Sequence, residues 1–487
     1  MTPTDARRWT ILSLGLLVLT PFLSLHGYVG KDHDDAIYVL ASQSLAQGNY
    51  RHWHLPGRPP ITVATPGLPA LLLPAALTDP FHLTTYQLLA AAYQSAAILA
   101  VFFWIRKRKP PETALALCAL FALNPLVLSR SGNIMPEAPG LLMVLAALMA
   151  WESGGFLAAG LWAAAAYLVR PGSLPLTAAF ALAALLKKDA RPFLKGILPT
   201  AAVLVPWSLW SSRSGLGWNW KLTELHTNYG AHLWRMITQT SIVNAQSLSR
   251  CWGSTFLPPQ APEILAACLG AGLFIAAARG AWKNRSGWSA ADAFLAGSLA
   301  MHLVWPWWYD RYLLTLLPFL LWRSSDALPE SLSRRAKAWT LAGILVLQFA
   351  VQGRLWFGSN VALETPPHRQ AYTWIQDHTE PSEILSGPFY ARDSLYTGRI
   401  SVPLPITEEP ETALNALNRS GVRYVLWEGI PDLGLTSNDS PVYLSLRRFE
   451  KLLEDPGLFA PTFDGGGVRI YRRIKPSPDE PKTTPIR

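Results

Sequence analysis

Half of the 487 residues are apolar and only 15% are charged, against about a quarter charged in soluble proteins; this excludes an ordinary soluble enzyme and points to a membrane protein with more than one domain. The net charge of +10 comes from short basic clusters between apolar runs, as in the cytoplasmic loops of polytopic proteins. No nucleic-acid-binding motif accompanies them, so nucleic acid is not an expected partner. Cys118, Cys251 and Cys268 are widely separated and give neither a disulfide framework nor zinc-ligand spacing.

Trp9–Leu25, preceded by Arg7 and Arg8, reads as a first membrane helix, since no small-residue cleavage site follows it. The acidic stretch Lys31-Asp32-His33-Asp34-Asp35-Ala36-Ile37-Tyr38 comes next, at the expected membrane–water boundary. Two readings are open for Asp34: a cap on the following helix, or a general base in a sheltered pocket. Asp35–Gln47 is expected to be an amphipathic helix ended by Gly48, with Ile37, Leu40, Ala41 and Leu45 on one face. It is too short to span and is expected to lie along the interface. Arg51–Pro60 is a polar loop with His52, His54 and Arg58. Thr65–Pro69 then opens a short, proline-broken apolar stretch to Leu77, read as a re-entrant or surface helix.

The remaining apolar runs begin at His82–Ile105, Pro111–Leu128, Ile134–Trp151 and Gly154–Val169. They continue with Leu174–Leu186, Ile197–Trp210, Ile264–Ala278, Trp288–Trp305, Leu313–Trp322 and Ala338–Trp356. With the first helix they make about eleven spans. A cytoplasmic N-terminus then puts every strong Lys/Arg cluster inside. The acidic stretch, Glu137, Arg170, the Trp-rich loop Ser211–Gln260 with His226 and His232, and Asp310-Arg311-Tyr312 fall outside. The expected organisation is a membrane module over 1–357, with a first outer loop over 26–81. A small α/β domain over 358–474 follows on the outer side, and a Pro-, Lys- and Asp-rich tail over 475–487 is expected to be disordered. Within the α/β domain, helices are expected over His368–Asp377, Glu409–Asn418 and Val442–Leu453, and strands over Glu383–Ser386 and Val422–Trp427. A hairpin is expected around Gly465-Gly466-Gly467.

Polar groups at the outer ends of spans are the informative set, because charge at membrane depth is costly and usually paired or functional. Glu137 fits a first-turn carboxylate favoured by the helix dipole, and Arg170 fits an arginine that snorkels to headgroups. Taken together with Arg311 and Tyr312, they also fit a site that holds a phosphate while a carboxylate takes a proton. His33, His52 and His54 match no standard metal spacing, which leaves His33 a weak metal candidate. The Trp305–Tyr309 cluster reads as an interfacial belt.

In this order and topology the motifs resemble the GT-C glycosyltransferases, and within them glycosyltransferase family 39 with its aminoarabinose-transferase and protein O-mannosyltransferase relatives. The resemblance rests on Asp34-Asp35-Ala36-Ile37-Tyr38, Asn124-Pro125 with Met135-Pro136-Glu137, Leu168-Val169-Arg170-Pro171, and Arg311-Tyr312 with Pro318. In the C-terminal part it rests on Tyr396-Thr397-Gly398-Arg399 and Val422-Arg423-Tyr424-Val425-Leu426. It implies inverting transfer of a sugar from a polyprenyl-phosphate carrier to an extracytoplasmic acceptor, at a bacterial cytoplasmic membrane and without a required cofactor. Asp34 is the implied base and Asp35 its orienting partner. Arg170 and Arg311, with Glu137 and Tyr312, are the implied phosphate and substrate contacts. Relatives often read Lys-Tyr-Pro-Pro-Gly where this chain has Val63-Ala64-Thr65-Pro66-Gly67; the lysine is absent, and either Arg58 replaces it or the donor is held differently. The competing readings are a flippase for a lipid-linked sugar, which would carry ionisable residues near the bilayer midplane, and a non-catalytic envelope-assembly protein.

Overall fold

A computed structural model describes residues 3–25, 27–62, 64–186, 188–214, 233–258, 260–305, 310–329, 331, 333–358, 368–407, 409–429 and 441–474. Val63, His226, His232, residues 306–309 and the tail 475–487 lie outside that set. The first helices are α1 (Pro3–Leu23), α2 (Asp34–Ala46), α3 (Gly67–Leu71), α4 (Leu73–Thr78), α5 (Leu83–Arg106), α6 (Pro111–Ala122), α7 (Pro125–Leu128) and α8 (Glu137–Glu152). They are followed by α9 (Phe156–Val169), α10 (Pro175–Leu186), α11 (Arg191–Ser214), α12 (Leu233–Ser254), α13 (Glu263–Lys283), α14 (Ala290–Val304), α15 (Tyr312–Asp326) and α16 (Arg334–Gly358). The C-terminal part runs α17 (Arg369–His378), β1 (Ile384–Gly387), α18 (Tyr390–Thr397), β2 (Ser401–Pro403), α19 (Pro410–Arg419), β3 (Val422–Trp427), α20 (Pro441–Leu453), β4 (Phe459–Gly465) and β5 (Val468–Arg473).

The chain divides into two compact units. The helical unit comprises Met1–His26, Thr62–Ala75 and His82–Leu363. The α/β unit comprises Gly27–Ile61, Ala76–Phe81 and Glu364–Arg487.

In the helical unit, apolar side chains face outward. Leu12, Leu16, Leu19 and Leu23 on α1, Leu194, Leu198 and Val205 on α11, and Ile264 and Ile275 on α13 are all exposed. Water would penalise so much apolar surface, whereas acyl chains accept it; the unit is a membrane-type bundle. Among the described residues three helices, α5, α11 and α13, are long and apolar enough to cross a bilayer, fewer than the eleven expected from the apolar runs. Polar and proline breaks account for part of the difference. Asn124 caps α7 by accepting from the Leu126 amide at 3.0 Å, and so splits the run Pro111–Leu128 into two helices. α9 and α14 stop at 14 and 15 residues.

Within the loop expected over 211–260, α12 is a helix of 22 residues. Its buried side chains Asn244, Leu248 and Trp252 recur every four positions, a narrow stripe in a polar sequence that Gly253 joins at its end. The Asn244 amide donates to the carbonyls of His302, Leu303 and Trp305 at 2.7–3.0 Å.

Charge gathers at both ends of α8 and α15. At one end lie Glu137 and Tyr312, the first residues of the two helices. At the other, Arg323 pairs with Asp292 and Asp326, Lys109 with Asp326, and Arg108 with Glu152. The basic residues expected to mark the cytoplasmic side are therefore partly spent on carboxylates of neighbouring helices.

In the α/β unit the sheet order is β2-β1-β3-β5-β4. β1 is parallel to β2 and β3, and β5 is antiparallel to β3 and β4. Gly466 and Gly467 turn the β4–β5 hairpin at φ 63° and 80°, values that non-glycine residues adopt only with strain. The expected elements appear within a few residues, while α18 and β2 add a parallel crossover that was not foreseen. α2 also belongs to this unit. Its Ala36 and Leu40 are buried with Ala391 of α18, and Ile37, Trp53, Tyr390 and Leu395 pack around them. The face expected to lie on lipid is covered by protein.

Helix α12 approaches α13 at Gly253 and Gly270, where an added Cβ would run into the backbone of Ala266 and Ser249 respectively; Gly272 faces open space. Gly270→Ala is expected to destabilise the detergent-solubilised protein by about 1–3 kcal/mol, read as a lowered melting temperature. Gly272→Ala should leave it within about 0.5 kcal/mol.

Candidate functional site

Each unit carries one cluster of the candidate residues. In the helical unit, Glu137 opens α8 behind Pro136 and is 4% exposed. A carboxylate in the first helical turn is favoured by the dipole, so the structural reading of this residue holds as well. Arg170 ends α9. Pro171 disfavours helical backbone in the residue before it, and Arg170 is accordingly extended at φ −148°, ψ 107°. Gly67 seats the Thr65-Pro66-Gly67 turn directly on the backbone of Leu168 and Val169, where a Cβ would not fit. Arg311 immediately precedes α15.

Three helix ends from distant parts of the sequence thus meet on one carboxylate. Arg311 Nε lies 3.5 Å and Arg170 Nη2 3.9 Å from Glu137 Oε1. Arg170 Nη1 donates to Thr315 Oγ1 at 3.2 Å. The Tyr312 ring lies 5.0 Å from the Arg170 guanidinium carbon and 5.8 Å from that of Arg311. Both guanidiniums stand beside the one carboxylate at distances longer than a direct charge-assisted hydrogen bond. Thr315 had no signal in the sequence beyond its place one turn after Arg311.

In the α/β unit, the acidic stretch forms a tight turn into α2. Asp35 is buried. Its Oδ2 accepts from the Gly30 amide at 2.7 Å and its Oδ1 from the Ala36 amide at 3.0 Å. Burial pushes its carboxyl up to about 7 against these two hydrogen bonds, with the nearby Asp32 and Asp34 charges adding to the rise. Asp34, the first residue of α2, is half-buried. The residue in the N-cap position is His33, with φ 60° and ψ −52° and no capping hydrogen bond from its side chain; such backbone costs roughly 1–3 kcal/mol.

The two aspartates therefore sit side by side in different environments. Asp35 ties the turn, and Asp34 lies nearer solvent. Arg58 is exposed at φ 47°, at the end of a loop closed by the Arg51–Pro60 bridge.

Apart from Tyr396, the residues that hold this turn were the least visible in the sequence. The Tyr396 hydroxyl donates to the Val29 carbonyl at 2.9 Å. Gly30, at φ 96°, lies against the side chain of Arg392, where a Cβ would clash. Arg392 is itself buried, donating to the Tyr372 hydroxyl at 2.7 Å and pairing with Glu428 and Asp393. Tyr372 in turn donates to Asp393 at 2.9 Å. In the Tyr396–Arg399 motif, Gly398 supplies the left-handed helix end and Arg399 donates to the Thr379 carbonyl at 2.8 Å. These are positioning roles. Among the described residues, no three His, Cys, Asp or Glu side chains are grouped to hold a metal ion.

The fold matches that of the GT-C glycosyltransferases. The chain is similar throughout to ArnT from Cupriavidus metallidurans. The TM-score is 0.57 to the structure bound to undecaprenyl phosphate and 0.58 to the apo structure, each at 11% identity over 96% of this chain and 98% of ArnT. The mycobacterial arabinofuranosyltransferase AftD aligns at TM-score 0.44 and 14% identity over 96% of this chain and 41% of AftD. No family model and no curated protein matches the sequence.

Asp35 binds its proton more tightly folded than unfolded, where an aspartate titrates near about 3.9. Its contribution to stability is complete below the unfolded value and is lost as pH rises through about 7. Asp35→Asn is therefore expected to flatten the fall in melting temperature between about pH 4 and 7. An unchanged slope in the variant would show that other groups cause it.

Proposed function

We propose that this protein is a membrane glycosyltransferase that moves a sugar from a polyprenyl-phosphate carrier to an extracytoplasmic acceptor, with inversion and no required cofactor. The reading rests on one observation above the others: Glu137, Arg170 and Arg311 converge at helix ends in a fold shared with ArnT. That ArnT structure is bound to undecaprenyl phosphate, and two guanidiniums together at the edge of an apolar bundle suit the phosphate of such a lipid. Charges at helix ends favour this reading over a flippase, which would carry them mid-helix.

In the proposed reaction, Asp34 takes the proton of an acceptor hydroxyl as its oxygen bonds to the anomeric carbon. The bond from that carbon to the phosphate oxygen breaks, and the lipid phosphate leaves with its bonding electrons. A phosphate leaving group needs little protonation, so one carboxylate base suffices, unlike glycoside hydrolysis with its second, acidic carboxyl. Arg170 and Arg311 stabilise the charge that develops on the phosphate. Tyr312 packs against both guanidiniums, and Glu137 holds them in register. Asp35 fixes the turn that presents Asp34. Arg58 supplies the positive charge that relatives carry on the missing lysine.

In the same reading the shorter apolar helices complete about eleven crossings of a bacterial cytoplasmic membrane, with the N-terminus inside and the α/β domain outside. Asp34→Asn is expected to lower transfer from a purified prenyl-phosphate sugar by about 100-fold or more without changing the melting temperature. Full activity in that variant would remove Asp34 from the mechanism.

A further inference from the structure

Three histidines scattered in the first loop sequence come together in the α/β unit. His54 lies 5.1 Å from His52 at 84° between rings, and stacks on Tyr390 at 6.0 Å. His33 meets the other side of this group, edge-on to Tyr390 at 4.8 Å. The loop is held by backbone, since the His54 carbonyl accepts from the Ser401 amide of β2 at 3.1 Å. Here Nδ1 of His33, Nδ1 of His52, both ring nitrogens of His54 and Nε1 of Trp53 are buried without a hydrogen-bond partner among the described residues.

Buried polar atoms are nearly always paired, and each orphan is unfavourable. Five of them around one tyrosine mark a place that a ligand completes. Burial also keeps the rings uncharged, pushing His33 and His52 down to about 4 and His54 to about 3. Such a site has no charge to offer a phosphate. Each neutral imidazole presents one donor and one acceptor, which is also what a hydroxyl group requires, and aromatic rings beside it suit the C–H face of a sugar.

We infer that His33, His52, His54, Trp53 and Tyr390 form a pocket for a polyhydroxyl group, the sugar ring of the acceptor. Assigning the bound sugar to the acceptor rests on the transferase reading; the binding itself does not. Asp34 adjoins the pocket. Its charge, after burial, contributes to raising the Tyr390 hydroxyl, so a sugar hydroxyl held here would lie near the proposed base.

The test uses full-length protein in phospholipid nanodiscs. Carbethoxylation of neutral imidazoles by diethyl pyrocarbonate is followed peptide by peptide, with exposed His378 as the internal control. The probes are methyl glycosides of glucose, N-acetylglucosamine, mannose and arabinose at about 50 mM, and separately zinc chloride. At least one glycoside should slow modification of His52, whose Nε2 is not among the buried unpartnered atoms, about fivefold or more and leave His378 unchanged. His54→Phe, or Trp53→Phe if the first variant does not fold, should abolish that protection at His52. Failure of all four glycosides, or protection by zinc alone, overturns the pocket. The transfer assay fails independently: protection by a glycoside together with full activity of Asp34→Asn would sink the mechanism and leave the pocket standing.

Discussion

The helical unit is organised around one desolvated carboxylate and the two guanidiniums beside it. Glu137 is almost wholly buried in a bundle whose outer surface is apolar. An isolated charge there would be unfavourable by several kcal/mol. It is tolerated because Arg170 and Arg311 come to it and because the start of α8 favours an anion. This constrains the chain at three distant points. α8 must begin at residue 137, α9 must end before Pro171, and α15 must begin just after Arg311. Gly67 tightens the arrangement from a fourth point by seating the Thr65–Gly67 turn on the end of α9.

The α/β unit solves a different problem, holding an acidic turn in a reproducible shape. Three aspartates and a histidine lie within four residues, and the backbone of His33 is strained. The turn persists because Asp35 accepts two amide hydrogens, Tyr396 grips the Val29 carbonyl, and Arg392 fills the space beneath Gly30. Arg392 is in turn fixed by Tyr372, Asp393 and Glu428. Asp35 is thereby the carboxyl that ties the turn, while Asp34 beside it is half-buried.

Much of this was legible where a single residue sets the backbone locally. The Arg170-Pro171 stop and the glycine hairpin follow from proline and positive φ, and they fall at the residues where those rules put them, whereas the Asn124-Pro125 break inside the run Pro111–Leu128 does not read as one. Long-range packing was less legible. α12 reads as a loop because its buried stripe of Asn244, Leu248 and Trp252 is narrow. The amphipathic face of α2 reads as a lipid contact because sequence shows that a face is apolar, not what covers it. The meeting of His33 with His52 and His54 had no trace in their spacing, since it depends on Tyr390, more than 300 residues away. The acidic and basic candidate residues were visible because charge in an apolar chain demands an explanation; Thr315, being uncharged, did not stand out.

The most direct test is lipid retention by the purified protein, with bound undecaprenyl phosphate compared against undecaprenol by native mass spectrometry. If the guanidiniums beside Glu137 hold the phosphate, wild-type protein keeps the phosphate lipid in preference to the alcohol. Arg170→Gln and Arg311→Gln should then each lose that preference by about tenfold or more while binding the alcohol as before. Equal preference for the phosphate lipid in the wild type and both variants would contradict a phosphate site at these residues.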